Sequence, residues 1–188
     1  MELINIFTAF GLSASAGLNA YIPLLVISLL AKFTDLIHLQ SPWDTLTSWW
    51  IIGLLVVLSL IEFFADKVPA VNHINDIIQT FIRPAAGAIA FAASAQVVTD
   101  VHPIISLGAG LLIAGGIHAV KAVAVRPAVT ATTGGVGNTP VSILEDLTST
   151  VVSIVAVVLP IVIACILVLV TSWLIFRMLR KHKQDPAM

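Results

Sequence analysis

The sequence predicts an all-α protein, a polytopic transmembrane helical bundle of about five spans. Of the 188 residues, 59% are hydrophobic and only 10% are charged, whereas soluble domains carry roughly a quarter of charged residues. The mean hydropathy is +1.06. Long apolar runs alternate with short polar segments, and a bilayer core of about 30 Å needs roughly 20 apolar residues per helix. Together these observations indicate that lipid is the solvent.

Five apolar runs define the predicted spans, and the first and the last of them are unusual. Small polar residues and Pro23 interrupt the first run. The last run is longer than the bilayer, so we expect it to tilt, to kink at Pro160 or to project from the membrane. The spans of this single transmembrane domain cover about 3–31, 49–64, 84–98, 104–125 and 147–176, and a basic polar C-terminal tail covers 177–188.

Two polar segments, 65–83 and 126–146, separate the later spans. The first is amphipathic and too polar to face lipid, and re-entry of either segment into the membrane would raise the count to six. A weak internal repeat relates the two segments, since KVPAV at 67–71 resembles RPAV at 126–129. A duplication would place both segments on one side of the membrane. Chance similarity between Ala/Val-rich segments is the alternative.

Charge and cysteine content exclude two classes of protein. The net charge is −1, so there is no basic face for nucleic acid. Cys165 is the single cysteine, which excludes a disulfide framework within one chain. The first hydrophobic run lacks the basic residues of a signal peptide, so we keep it as mature structure. An excess of Lys and Arg on the side of the tail predicts a cytoplasmic C-terminus.

Ionisable residues lie near the ends of two predicted spans. Glu62 and Asp66 are four residues apart, and His118 and Lys121 are three apart with Arg126 continuing their face. Charges inside a membrane cost about 2.5–3.5 kcal/mol each at a helix centre, so they need partners. We expect the acidic face to meet the basic one, with Glu62 and Lys121 as the pair. The functional interpretation is a polar cavity or proton path, and the alternative is a structural ion pair or snorkelling to the interface.

Asn72, His73, Asn75 and Asp76 form the densest polar group of the first segment. Asn72 shares a helix face either with Asp76 or with Asn75, and His73 is a candidate proton carrier because a histidine titrates near neutral pH. The alternative is an ordinary helix start in water, since the group follows Pro69. No His, Cys or acid pattern has recognised metal-ligand spacing.

The second polar segment holds a glycine-rich loop at 132–138. Gly134 and Gly135 allow backbone conformations that aim several polar groups at one point, which suits an anion or a dehydrated cation. Thr133 and Asn138 add side-chain donors and acceptors. No Gly-Lys-Ser/Thr follows, so nucleotide binding has no support. A flexible surface connector is the alternative.

Small residues recur at steps of four along two spans, which favours close helix packing. Asn19 lies within the first of these stripes, and its amide needs a partner at membrane depth. The stripes are Gly11, Ser15, Asn19 and Pro23 in the first span, and Gly110, Ala114, His118 and Ala122 in the fourth.

Three stretches resemble a family of bacterial integral membrane proteins known as domain of unknown function 4126. They are GLSASAGLNAYIPLL, EFFADKVPAVNHINDIIQTFIRPAAGA and TTGGVGNTPVSILED. The resemblance covers nearly the whole chain. It implies a compact helical membrane domain in a bacterial inner membrane, and it implies no activity, substrate or site.

The leading functional hypothesis is a small transporter or channel-like protein that moves a small solute, an ion or a lipid-linked substrate as a homo-oligomer in the lipid bilayer. The alternatives are a non-catalytic subunit or assembly factor, and a membrane-embedded lipid-modifying enzyme. No catalytic motif is present, so we predict no enzyme, no catalytic residue, no metal and no cofactor. The predicted binding or pathway residues are Asn19, Glu62, Asp66, Lys67, Asn72, His73, Asp76, Arg83, His118, Lys121, Arg126, Thr133, Gly134, Gly135, Asn138, Glu145 and Asp146.

Overall fold

A computed structural model describes residues 2–67, 69–95 and 102–182, and all regular structure in these ranges is helical. The predicted all-α fold class is confirmed. A 3-10 helix, Trp43–Thr47, precedes the third helix, and a π-helical turn, Lys121–Val125, joins the fifth helix to the sixth. The helices are α1 (Glu2–Leu18), α2 (Tyr21–Phe33), α3 (Trp49–Ala65), α4 (Pro69–Ala95), α5 (Pro103–Val120), α6 (Arg126–Thr133) and α7 (Asn138–His182).

Three helical segments of the described chain are long and apolar enough to cross a membrane. They are Ile74–Ala95, Pro103–Thr133 and Asn138–Leu159. Shorter apolar helices accompany them, covering Ile6–Leu18, Tyr21–Phe33 and Trp49–Ala65. The polytopic membrane architecture predicted from the sequence is therefore confirmed, with spans of unequal length.

The predicted polar segments belong to the long helices instead of connecting them. α4 begins at Pro69 and passes through Pro84, where the sequence placed a span boundary. α5 continues through the π-turn into α6, and α7 follows after only the residues 134–137. The structure therefore differs from the predicted spans 84–98, 104–125 and 147–176, because the polar side chains of these segments are covered by neighbouring helices.

The start of α4 shows how a polar stretch remains in the membrane region. Asn75, Gln79 and Arg83, at steps of four, are buried, while Ile77 and Phe81 on the opposite face are 66% and 75% exposed. The polarity of this segment is therefore confined to its inner face, and its outer face is apolar. An apolar outer face and a polar inner face suit a helix surrounded by lipid, because lipid satisfies only the apolar side.

The predicted first span, 3–31, is divided into two helices. α1 ends at Leu18 and α2 begins at Tyr21. Pro23 accounts for the break, because a proline ring clashes with the carbonyl four residues earlier, here that of Asn19, and offers it no N–H. The Asn19 side chain bonds the first amides of α2, since its Oδ1 accepts from the amides of Tyr21 at 3.1 Å and Ile22 at 3.0 Å.

Glycines in or beside the two stripes of small residues lie in close helix contacts. Gly11 lies against Ala156 of α7, and a Cβ on Gly17 would lie 2.6 Å from the Ala114 carbonyl of α5. Gly110 lies against the backbone of α4, where an added Cβ would lie 2.7 Å from the Ala88 Cα. The packing interpretation of the stripes is confirmed, and these contacts hold α1, α4, α5 and α7 in a fixed register.

Gly110→Ala is expected to destabilise the bundle by about 1–3 kcal/mol, because the added methyl overpacks the α4–α5 contact. Gly108→Ala, also in α5, is the matched control, since nothing lies within 4 Å of its added Cβ. Unfolding in mixed detergent measures both variants. Equal stability of the two would contradict the proposed register.

Candidate functional site: a buried ionic cluster

The Asp66 carboxylate lies where three cations from different helices meet. Its Oδ2 is 3.4 Å from Arg126 Nη2, 3.7 Å from Arg83 Nη2 and 3.9 Å from Lys121 Nζ. Asp66 follows the last turn of α3, so the turn that ends α3 delivers the carboxylate to the inner faces of α4, α5 and α6. A single oxygen therefore links elements that lie far apart in sequence.

Two neutral side chains complete the surroundings of Asp66. Asn75 on α4 donates from Nδ2 to Oδ1 at 2.6 Å, and the Ser142 hydroxyl on α7 donates to Oδ2 at 3.2 Å. Both carboxylate oxygens thus accept hydrogen bonds as well as facing cations. A buried carboxylate needs such donors to offset its loss of hydration.

Two more carboxylates balance the three cations. Glu62 Oε1 accepts from Arg83, at 2.8 Å from Nη2 and 3.2 Å from Nε. Glu145 Oε2 lies 2.7 Å from Lys121 Nζ and 3.2 Å from Arg126 Nη2. Each of these residues is less than a tenth exposed. We call the following six residues the ionic cluster, three acids and three bases: Glu62, Asp66, Arg83, Lys121, Arg126 and Glu145.

The expected Glu62–Lys121 pair is replaced by two other pairs. Glu62 pairs with Arg83, and Lys121 pairs with Glu145 and Asp66. The acidic and basic helix faces do meet, as predicted. The partners differ because α4 and α7 place Arg83 and Glu145 between those faces, and the sequence had assigned both residues to polar connectors.

The break between α1 and α2 lies in contact with the ionic cluster. Lys121 Nζ donates to the Leu18 carbonyl at 3.4 Å, which the end of α1 leaves without its helical partner. Asn19 Nδ2 donates to Asp146 Oδ1 at 3.0 Å, and Lys67 Nζ lies 3.5 Å from Asp146 Oδ2. The predicted need of the Asn19 amide for a partner is met by α7.

The π-turn brings Arg126 to the same side as Lys121. In an α-helix, residues five apart point about 140° away from each other. A π-turn, whose hydrogen bonds span five residues, brings them closer to the same side of the helix. Pro127 favours the turn, because it cannot donate to the carbonyl of Val123. The deformation thus allows both cations to reach Glu145.

His118 connects the cluster to the outer part of α4, and its partners define its tautomer. Arg83 Nη1 lies 3.3 Å from His118 Nδ1, which must accept because a guanidinium only donates. His118 Nε2 lies 3.2 Å from Thr80 Oγ1, whose own proton goes to the Asp76 carbonyl. Nε2 therefore carries the proton and the imidazole is neutral in this arrangement.

Several predicted site residues lie apart from the cluster. Thr133 Oγ1 accepts from the Gly137 amide at 3.0 Å, and Asn138 Nδ2 donates to Thr130 Oγ1 at 2.9 Å, so the glycine-rich loop bonds to itself and to α6. Gly134 and Gly135 adopt positive φ values of 63° and 90° there. A binding role for this loop stays a prediction.

The structure describes only part of the polar group at 72–76. The Asp76 side chain is half-buried, while the side chains of Asn72 and His73 lie outside the described part of the structure. No group of three or more His, Cys, Asp or Glu that could hold a metal ion occurs among the described residues. The proton-carrier hypothesis for His73 therefore stays a prediction.

Three residues that contact the site were absent from the predicted binding or pathway residues: Asn75, Thr80 and Ser142. Asn75 was predicted only as a member of the polar group at 72–76. A usable signal existed for two of them. Asn75 precedes Arg83 by two steps of four through Gln79, and Ser142 begins the buried stripe of α7 that continues through Ser149. Polar residues at helical spacing in an otherwise apolar chain indicate an inner face. Thr80 gave no such signal, since it lies outside the buried stripe of α4.

The fold and the ionic cluster define a class of protein, a polytopic helical membrane protein with a buried, charge-balanced ionic cluster between its helices. The family model described as Domain of unknown function (DUF4126) matches residues 6–181, and the chain belongs to that family. No curated protein and no solved structure matches the chain. Function must therefore be argued from the site.

Double-mutant cycles test the pairs of the cluster. Lys121→Met and Glu145→Gln should couple by at least about 2 kcal/mol in unfolding free energy, because contacting charges fall in the range of 0.5–3 kcal/mol. Lys121→Met with Glu62→Gln should couple less. Reversible unfolding in detergent measures both coupling energies. A larger coupling between Lys121 and Glu62 than between Lys121 and Glu145 would favour the Glu62–Lys121 pair expected from the sequence.

Asp66→Asn should cost about 3–5 kcal/mol, because it leaves buried cations without their shared counter-charge. Asp44→Asn is the matched control, since Asp44 is exposed outside the cluster, and it should change stability by less than about 0.5 kcal/mol. The same unfolding measurement applies. If Asp66→Asn left the unfolding free energy unchanged, the three cations would be compensated by other groups.

Proposed function

We propose that the chain is a small membrane transporter or channel-like protein, and that the ionic cluster is its solute pathway. The observation that carries this proposal is a charge-balanced group of six ionisable side chains buried against the broken ends of helices. Arg83, Lys121, Arg126 and Glu145 lie within segments long and apolar enough to span a membrane. Ionisable residues at such positions are costly and mark ion or substrate pathways.

The interrupted helices support the same proposal. Transporters form their sites with discontinuous helices, whose free amides and carbonyls lie beside the substrate. The chain has such an interruption at Asn19 and a π-turn at Lys121, and Lys121 bonds the carbonyl that the first interruption leaves free. The interruption and the π-turn thus lie beside the most costly side chains of the bundle.

The assembly and the location belong to the proposal. Short helices enclose a pathway poorly, so we propose a homo-oligomer. α3 offers an apolar surface for it, with Trp50 90% and Ile61 57% exposed. We also propose a bacterial inner membrane, a cytoplasmic C-terminus supported by the basic tail, and a role without catalysis. The substrate is a small solute, an ion or a lipid-linked molecule.

Lys121→Met combined with Glu145→Gln tests transport. The double variant removes one charge of each sign, so the bundle should fold while flux falls at least about tenfold, because the polar pathway loses a bonded pair. Proteoliposomes containing the full chain measure flux for a panel of labelled ions and small solutes. Circular dichroism and size-exclusion chromatography in detergent check the fold.

The matched control is Asp35→Asn combined with Arg177→Gln, an acid and a base that are exposed outside the cluster. This control should retain wild-type flux. Absence of flux for every solute, together with co-purification of the chain in a larger membrane complex, would overturn transport and favour a non-catalytic subunit.

A further inference from the structure

The ionic cluster contains two buried groups whose hydrogen-bonding capacity is unused within the described chain. Arg126 Nε and Nη1 have no partner there, although the residue is only 6% exposed. Glu62 Oε2 also has no partner, and the Glu62 side chain is 0% exposed. Buried donors and acceptors without partners are rare, because each loses its hydration without compensation. One unused group donates and the other accepts.

The two groups belong to one chain of ion pairs. Glu62 contacts Arg83, Arg83 contacts Asp66, and Asp66 contacts Arg126, at 2.8, 3.7 and 3.4 Å. Three acids and three bases make the cluster neutral when all are charged. Adding a lone anion or a lone proton would leave a net charge away from water, which is costly. Adding both leaves the charge unchanged.

We propose that the cluster binds one small monovalent anion at the free N–H groups of Arg126 together with one proton at Glu62 Oε2. This inference deepens the proposed function, on which its transport meaning rests, by naming the solute class and the coupled ion. The proton comes from hydronium in bulk water: one O–H bond of hydronium breaks and leaves water, and one O–H bond forms on Oε2, while Oε1 keeps its bonds to Arg83. No other covalent bond changes, and the added proton and anion together leave the net charge of the cluster at zero.

The proposal depends on the titration of Glu62, so its surroundings matter. Arg83 faces it from α4, Asp66 follows on its own helix and Lys121 lies beyond them on the π-turn. Tyr21 of α2 lies close enough to interact with it electrostatically. The remaining ionisable groups of the site, His118 on α5, Arg126 on α6 and Glu145 on α7, reach Glu62 through Arg83 and Asp66.

Anion binding to the full chain in detergent tests the inference without any flux. Nitrate and chloride are the probes, titrated against thermal unfolding at constant ionic strength, because a ligand raises the unfolding midpoint according to its affinity. One proton bound per anion makes the affinity fall about tenfold per pH unit on the alkaline side of the Glu62 titration. We expect that slope in the wild type within the pH range over which the chain stays folded.

Two variants separate the anion site from the proton site. Glu62→Gln keeps a neutral side chain at all pH values, so nitrate should bind with an affinity that no longer depends on pH. Arg126→Lys keeps the charge facing Asp66 and Glu145 but removes the unused guanidinium donors, so affinity should fall about tenfold or more at every pH. The matched controls, Asp44→Asn and Arg177→Lys, lie outside the cluster and should behave as the wild type.

Each contrary outcome points to a different failure. Nitrate and chloride binding that is absent, or equally pH-independent in the wild type and Glu62→Gln, overturns the inference, and flux of another solute would still support the proposed function. Proton-linked anion binding without flux of any solute overturns the proposed function and leaves the binding site standing. Wild-type binding retained in Arg126→Lys places the anion elsewhere and overturns the inference.

Discussion

Much of the structure depends on the meeting of three cations at the Asp66 carboxylate. Arg83, Lys121 and Arg126 come from α4, the π-turn and α6, and none of them could stay buried without a counter-charge. Glu62 and Glu145 supply the rest of the balance. Because the charges must be neutralised locally, α3, α4, α5, α6 and α7 are held in a single mutual arrangement around one carboxylate.

The departures from regular helix serve this arrangement. The break after Leu18 frees a carbonyl that Lys121 binds, and the Asn19 side chain both bonds the start of α2 and reaches Asp146. The π-turn reduces the rotation per residue, which brings Arg126 to the side of Lys121 and Glu145. Two prolines, four residues after the disturbed carbonyls, account for both irregularities. Two prolines thus produce the irregular backbone at which Lys121 and Arg126 make their contacts.

Sequence patterns predicted the components of the cluster better than its pairing. Glu62 with Asp66, and His118 with Lys121, lie on shared faces as spacing predicts, because residues three or four apart are neighbours on any helix. The boundaries were less accurate around Arg83 and Glu145. A polar stretch lowers the hydropathy of its window even when its polar face is covered, so α4 and α7 were assigned starts that were too late.

The sequence by itself determined the solvent and the secondary structure, since composition decides between water and lipid and lipid permits helices with internally bonded backbones. Pro23 and the stripes through Gly11 and Gly110 likewise determined a break and two close contacts. Only the tertiary structure decided that Glu62 meets Arg83 and that Lys121 meets Glu145. Spacing along one helix fixes which residues share a face, whereas partners across helices depend on the register that packing sets.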